Sequence, residues 1–172
     1  MLFTGTVLYN LDVTGRTASE DAWLLALESA SPELAKQFRM SGFGLNTPIS
    51  AGGKNLSIGQ RQLICLARAL LRKSKILLFD DAPSSVDGST DAQVQETIRN
   101  EFVEKGISVI TVAHRLDTVL GSDNIAVLGD GEVIEYGVPR NLLTLSNGEL
   151  RKLVDADLMN KKKGAKASLK EW

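Results

Sequence analysis

Two aspartates end an apolar run, Ile76-Leu77-Leu78-Phe79-Asp80-Asp81, and a short polar segment, Ser57-Ile58-Gly59-Gln60, opens a long amphipathic stretch upstream of them. A carboxylate at a strand end can hold Mg2+ directly or through water, and a second can orient or deprotonate an attacking water. Ser57 and Gln60 have the spacing of a capping box, so these four residues start a helix. The first N–H groups of a helix lack partners within it and carry partial positive charge, which together suit a phosphate. On spacing alone, an ordinary capped helix and an ordinary polar turn read the same way. His114, the one histidine of the chain, is on its own a structural residue as readily as a ligand contact.

The neighbouring elements bring these groups together. Leu63, Ile64, Leu66, Ala67, Leu70 and Leu71 form a wide apolar stripe on the helix that Ser57 opens, and Arg72 and Lys73 suit its C-terminal end. The unbroken run from Ile76 to Phe79 predicts an interior parallel strand buried on both faces. Asp87-Gly88 turns the chain into a helix carrying Val94, Ile98 and Phe102 at spacing four, stopped by Gly106, and Ser108 to Val112 reads as a second strand. Strand, helix, strand at this length is a βαβ unit with parallel strands. Open α/β sheets bind ligands outside the C-terminal edge of such strands, so Asp80, Asp81 and His114 are expected to converge there.

Around this core, Leu2-Phe3-Thr4-Gly5-Thr6-Val7 reads as an apolar turn entering a short helix. Thr17-Ala18-Ser19-Glu20 has capping-box spacing ahead of Trp23, Leu24 and Leu27. Gly42, Gly44, Pro48, Gly52 and Gly53 mark an irregular loop. Asp130-Gly131 joins Ile125–Leu128 to Glu132–Tyr136 as a tight hairpin. Pro139 opens a short helix, Glu149 to Leu158 forms another, and the lysines from Lys161 onward read as a solvated basic tail.

Composition sets the limits. A chain of 172 residues with 43% apolar and 24% charged content reads as one globular unit or a piece of one. A net charge of -1 gives no electrostatic case for nucleic acid. Cys65 stands alone among apolar neighbours, so no internal disulfide forms and a buried free thiol is expected. No apolar run is long enough to span a bilayer, and the start lacks the features of a secretory signal.

The motifs taken together resemble a known family. Asn55-Leu56-Ser57-Ile58-Gly59-Gln60-Arg61-Gln62, followed by Ala67-Arg68-Ala69-Leu70, is similar to the ATP-binding-cassette signature and its helix. Ile76 to Asp81 resembles the Walker B strand, Ser85-Val86-Asp87 the D-loop, and Val112 to Thr118 the switch-histidine segment. Leu2 to Asp12 looks like the segment after the Q-loop, and Gly44-Leu45-Asn46-Thr47-Pro48 precedes the signature as in the multidrug-resistance-associated (C) subfamily. The likeness is to the C-terminal part of a second nucleotide-binding domain. It implies a partial P-loop NTPase α/β fold with a parallel βαβ core, a helical N-terminal part and a C-terminal hairpin. Residues 1–158 would be the partial domain, with 1–45 helical, 46–128 the motif core, 124–158 the hairpin and last helices, and 159–172 a tail.

By that resemblance Ser57, Gly59 and Gln60 hold the γ-phosphate of an ATP bound mainly by a complete partner domain, in a head-to-tail sandwich. Asp80 helps to hold Mg2+, Asp81 takes the catalytic carboxylate position, His114 contacts the γ-phosphate and Asp87 communicates across the sandwich. Transmembrane domains of an exporter are the further partners, which places the domain on the cytoplasmic face of a membrane. The chain departs from the family pattern in three ways. It contains no G-x-x-x-x-G-K-[ST] phosphate loop, since the one Gly-Lys pair, Gly53-Lys54, has Pro48 and Asn55 at the outer positions. The Q-loop glutamine and the aromatic residue that stacks on adenine are also missing. Asp81 stands where the family usually has glutamate, and Ile58 and Pro83 are milder departures. The expected function is therefore part of an ATPase driving export, inactive in isolation. A non-enzymatic module completing a partner's ATP site and a truncated gene product are the alternatives. A chromosome-maintenance ATPase would bring long heptad repeats and basic surfaces that this chain lacks. Exposed apolar surface and poor solubility are also expected.

Overall fold

The computed structural model describes residues 1–15, 19–80, 88–113 and 115–168, in two compact units, Met1–Val112 and Ala113–Trp172. In the first unit β1 (Gly5–Thr6) pairs antiparallel with β2 (Pro48–Ile49). Between them lie α1 (Val7–Leu11), α2 (Glu20–Ala30) and α3 (Pro32–Met40). Thr6, Ser19 and Ser31 cap these helices by accepting from the Tyr9, Ala22 and Leu34 N–H groups. The cap of α2 is thus Ser19, and Thr17 of the expected box lies outside the described residues. Glu20 and Asp21 fall in the first turn of α2, where their charge complements the helix dipole. The break between α2 and α3 follows from Pro32, which disfavours a helical backbone at Ser31 while suiting the first helical position itself.

The long helix α4 (Ile58–Arg72) buries Leu63, Ile64, Leu66 and Ala67 and packs on α1 and α2. Its apolar stripe joins Leu27, Leu34 and Phe38 in the main core. After it, β3 (Ile76–Asp80) pairs in parallel with β4 (Ser108–Val112), from Ile76 opposite Ser108 to Asp80 opposite Val112. The connection contains α5 (Gly88–Ile98) and a single wider π turn over Arg99–Val103. Val94, Ile98 and Phe102 are all buried, as their spacing required, and Gly106 leaves the helix with a left-handed φ of 75°.

One expectation fails here. The apolar run of β3 predicts burial on both faces, yet only Leu77 and Phe79 pack on the core, while Leu78 is 74% exposed. On β4, Ile110 and Val112 are likewise exposed and Val109 packs inward. The sequence of β3 is that of a two-layer strand, and among the described residues only one layer covers it. The exposed face agrees with the expectation of uncovered apolar surface.

The second unit contains α6 (Leu116–Val119), the hairpin β5 (Ile125–Gly129) and β6 (Glu132–Gly137), α7 (Pro139–Leu142) and α8 (Glu149–Ser168). Asp130 and Gly131 both have positive φ, 50° and 83°, as a two-residue turn of type I′ requires. Ile125, Val127, Leu142 and Leu150 form its small core. The backbone of α8 continues to Ser168, ten residues beyond the Leu158 at which its apolar pattern ends. The Glu135 carboxylate accepts from the N–H groups of Glu149 and Leu150 at 2.6 and 2.9 Å, tying the hairpin to the start of α8. Both bonds are charge-assisted, so Glu135→Ala is expected to cost this unit about 1–2 kcal/mol in urea unfolding. No helix among the described residues is long and apolar enough to cross a membrane.

Candidate functional site

The start of α4 is a complete capping box. Ser57 Oγ accepts from the Gln60 N–H at 3.1 Å, and Gln60 Oε1 accepts from the Ser57 N–H at 3.0 Å. The Arg61 N–H goes to the Ser57 carbonyl. This leaves the N–H groups of Ile58 and Gly59 without a helical partner, and the Ser57 hydroxyl with its own proton to donate. Gly59 is buried, whereas Ser57 is exposed. Gln60 Nε2 donates to Gln37 Oε1 on α3 at 2.9 Å, so the carboxamide is held at both ends.

The loop leading into the helix is closed upon Asn55. Asn55 Oδ1 accepts from both the N–H and the hydroxyl of Ser50, at 2.9 and 3.0 Å. Its Nδ2 donates to the Pro48 carbonyl at 2.9 Å, and its backbone N–H to Ser50 Oγ at 3.2 Å. Gly53 turns with φ 71°, and a Cβ there would meet the Arg61 side chain at 2.8 Å and Leu2 at 3.0 Å. The Gly53-Lys54 pair therefore belongs to a tight approach to α4, which is why glycine stands there.

Farther along, the Arg68 guanidinium grips the first residues of the chain. Its Nε donates to the Asn10 carbonyl at 2.6 Å, Nη1 to the Met1 carbonyl and Nη2 to Asn10 Oδ1, both at 3.1 Å. It also stands over the Phe3 ring at 5.5 Å from the centroid. Asn10 is fully buried, accepts from the Phe3 N–H and donates to the Phe3 and Thr6 carbonyls. Burial pushes the Arg68 pKa below its ordinary value; Cys65 opposes this and Arg72 adds to it.

Asp80 ends β3 directly opposite Val112, with its side chain exposed. With Ile58, Arg61, Cys65 and Leu77 it lines a groove of about 550 Å³ along α4 and β3. Asp81, Asp87 and His114 lie outside the described residues, so of the three groups expected to converge only Asp80 is placed. No cluster of three or more metal-ligating side chains occurs among the described residues. Sequence reading missed Gln37 and Asn55 as supports of the helix start, and Asn10 and Arg68 as the pair that ties the first residues to α4. An arginine on the core side of an apolar stripe was the available signal for the last two, and nothing local marked Gln37.

A parallel βαβ core beside a helical region, with a capped glycine-containing helix start, defines the fold as part of an ATP-binding-cassette nucleotide-binding domain, of the P-loop NTPase class. The family model described as ABC transporter matches residues 6–84. The chain is 44% identical over 155 residues to ABC transporter C family member 12 of Dictyostelium discoideum, covering 90% of this chain and 11% of that protein. It is 49% identical over 146 residues to ATP-binding cassette sub-family C member 2 of Rattus norvegicus, covering 84% and 9%. Among solved structures, a bacterial Atm1-family ABC exporter with ATP bound superposes with a TM-score of 0.79 at 31% identity, covering 91% of this chain and 27% of that one. The chain belongs to the ATP-binding-cassette transporter family, and within it to the nucleotide-binding domains of subfamily C. It spans about a tenth of the length of the curated relatives it matches.

Proposed function

We propose that this chain is the signature-bearing part of a transporter nucleotide-binding domain. In this reading it supplies the second half of an ATP site whose phosphate loop belongs to a complete partner domain, in a head-to-tail sandwich. The observation that carries the reading is the start of α4. The Ser57 hydroxyl and the Ile58 and Gly59 N–H groups form a compact donor set at the positive end of a 15-residue helix, fixed in advance by the capping box. Those donors fit a γ-phosphate, and Gln60 retains a second Nε2 hydrogen for the same anion. Asp80 offers one exposed carboxylate to Mg2+, which would neutralise charge on the phosphates; its other ligands would be phosphate oxygens and water. By motif match, Asp81 is assigned to orienting the attacking water, His114 to the γ-phosphate and Asp87 to communication across the sandwich. Asp81 is one methylene shorter than the family's glutamate, which makes for a slow site. The parent would use the ATP site to drive export through its transmembrane domains.

The 172 residues contain no phosphate loop, so the isolated chain is expected to turn over ATP at background, equally in the wild type, Asp80→Asn and Asp81→Asn. Turnover clearly above background in the wild type and lost in both variants would overturn the half-site reading.

A further inference from the structure

Gln60 is the member of the donor set whose orientation the helix alone leaves open. A carboxamide presents an oxygen and an NH2 of nearly the same shape, and rotation by half a turn exchanges an acceptor for a donor pair. The capping box engages only Oε1. The second hold comes from another element: Gln37, near the end of α3, accepts from Gln60 Nε2 at 2.9 Å across 23 residues of sequence. With one Nε2 hydrogen on Gln37 and Oε1 on the Ser57 N–H, only one hydrogen of Gln60 remains, and its direction is set.

We infer that Gln37 is a positioning residue for the phosphate-facing start of α4: it fixes which way the Gln60 carboxamide faces, and through it the donor that Gln60 presents. The inference rests on the half-site reading given above. Gln37 is exposed, so replacing it leaves the core intact. The hydrogen bond is exposed too, and its net contribution matches a change of about three- to tenfold in affinity.

The test uses the full chain with a complete ATP-binding-cassette nucleotide-binding domain as partner and Mg·ATP as ligand. Gln37→Met keeps the length of the side chain and removes the strong acceptor. It is expected to weaken ATP-dependent association about three- to tenfold while the chain still melts cooperatively within a few degrees of the wild type, and to cause no further loss in a Gln60→Leu background, because its effect passes through Gln60. Full association in Gln37→Met, or an equal loss in both backgrounds, would overturn the inference. A second measurement needs no partner. The side-chain amide resonances of Gln60 in the chain alone should shift in Gln37→Met and stay near their wild-type positions in Gln37→Glu, which keeps an acceptor oxygen. Resonances indifferent to Gln37→Met would refute the positioning role. Absence of ATP-dependent association in the wild type would instead refute the half-site reading, with the resonances still deciding on Gln37.

Discussion

Asn10→Ala is expected to lower the stability of the first unit by about 3 kcal/mol, a large share of what holds a domain of this size together. Asn10 is fully buried, and its side chain satisfies the Phe3 N–H, the Phe3 and Thr6 carbonyls and one Arg68 nitrogen. Alanine removes all four bonds. The Thr6 carbonyl keeps its helical bond and Arg68 its two backbone carbonyls, but the Phe3 N–H and carbonyl lose this partner, and a polar group left unpaired away from water costs more than a hydrogen bond contributes. Asn10→Asp makes a useful contrast. It keeps an acceptor for the Phe3 N–H and for Arg68, but turns oxygen toward two carbonyls that had received hydrogens, so it too is expected to be destabilised. Urea unfolding measures both. A loss below about 0.5 kcal/mol for Asn10→Ala would mean that water replaces the side chain.

Several elements were legible because each had a local cause. The Ser57 and Gln60 spacing became a capping box with both bonds formed. The spacing of Val94, Ile98 and Phe102 became one buried face, and Asp130-Gly131 became a two-residue turn with two left-handed residues. The rest depended on partners distant in sequence. Asn55 reads as one more polar residue until Ser50 and Pro48 fold back upon it. Gln37 matters only because α3 comes beside the start of α4. The unbroken apolar run of β3 read as buried on both faces, whereas the described residues cover only the face of Leu77 and Phe79 and Leu78 stands open. Of the candidate site, Ser57, Gly59, Gln60 and Asp80 are placed; Asp81, Asp87 and His114 are known only by motif.

Ser57→Arg carries the largest expected effect on function. Ser57 is both the cap of α4 and, in the proposed site, the hydroxyl donor to a phosphate. Losing the cap costs about 1 kcal/mol of folding stability, and losing a hydrogen bond to a charged group about 2 kcal/mol of association, the latter on the order of thirtyfold in affinity before any steric effect of the guanidinium. The guanidinium adds bulk at the point of closest approach, whereas Ser57→Ala removes only the cap and the donor. Ser57→Ala should therefore retain more association than Ser57→Arg. Equal loss in the two would mean that the hydroxyl alone accounts for the effect.

The central claim is that this chain completes a nucleotide site with a partner, and the most direct measurement is its equilibrium association with a complete ATP-binding-cassette nucleotide-binding domain. Sedimentation of the two in Mg·ATP, in Mg·ADP and without nucleotide would read it. The expected result is a complex in Mg·ATP that weakens sharply in Mg·ADP and disappears in Ser57→Arg while that variant still melts as a folded chain. A complex of equal strength without nucleotide, or one undiminished by Ser57→Arg, would contradict the account.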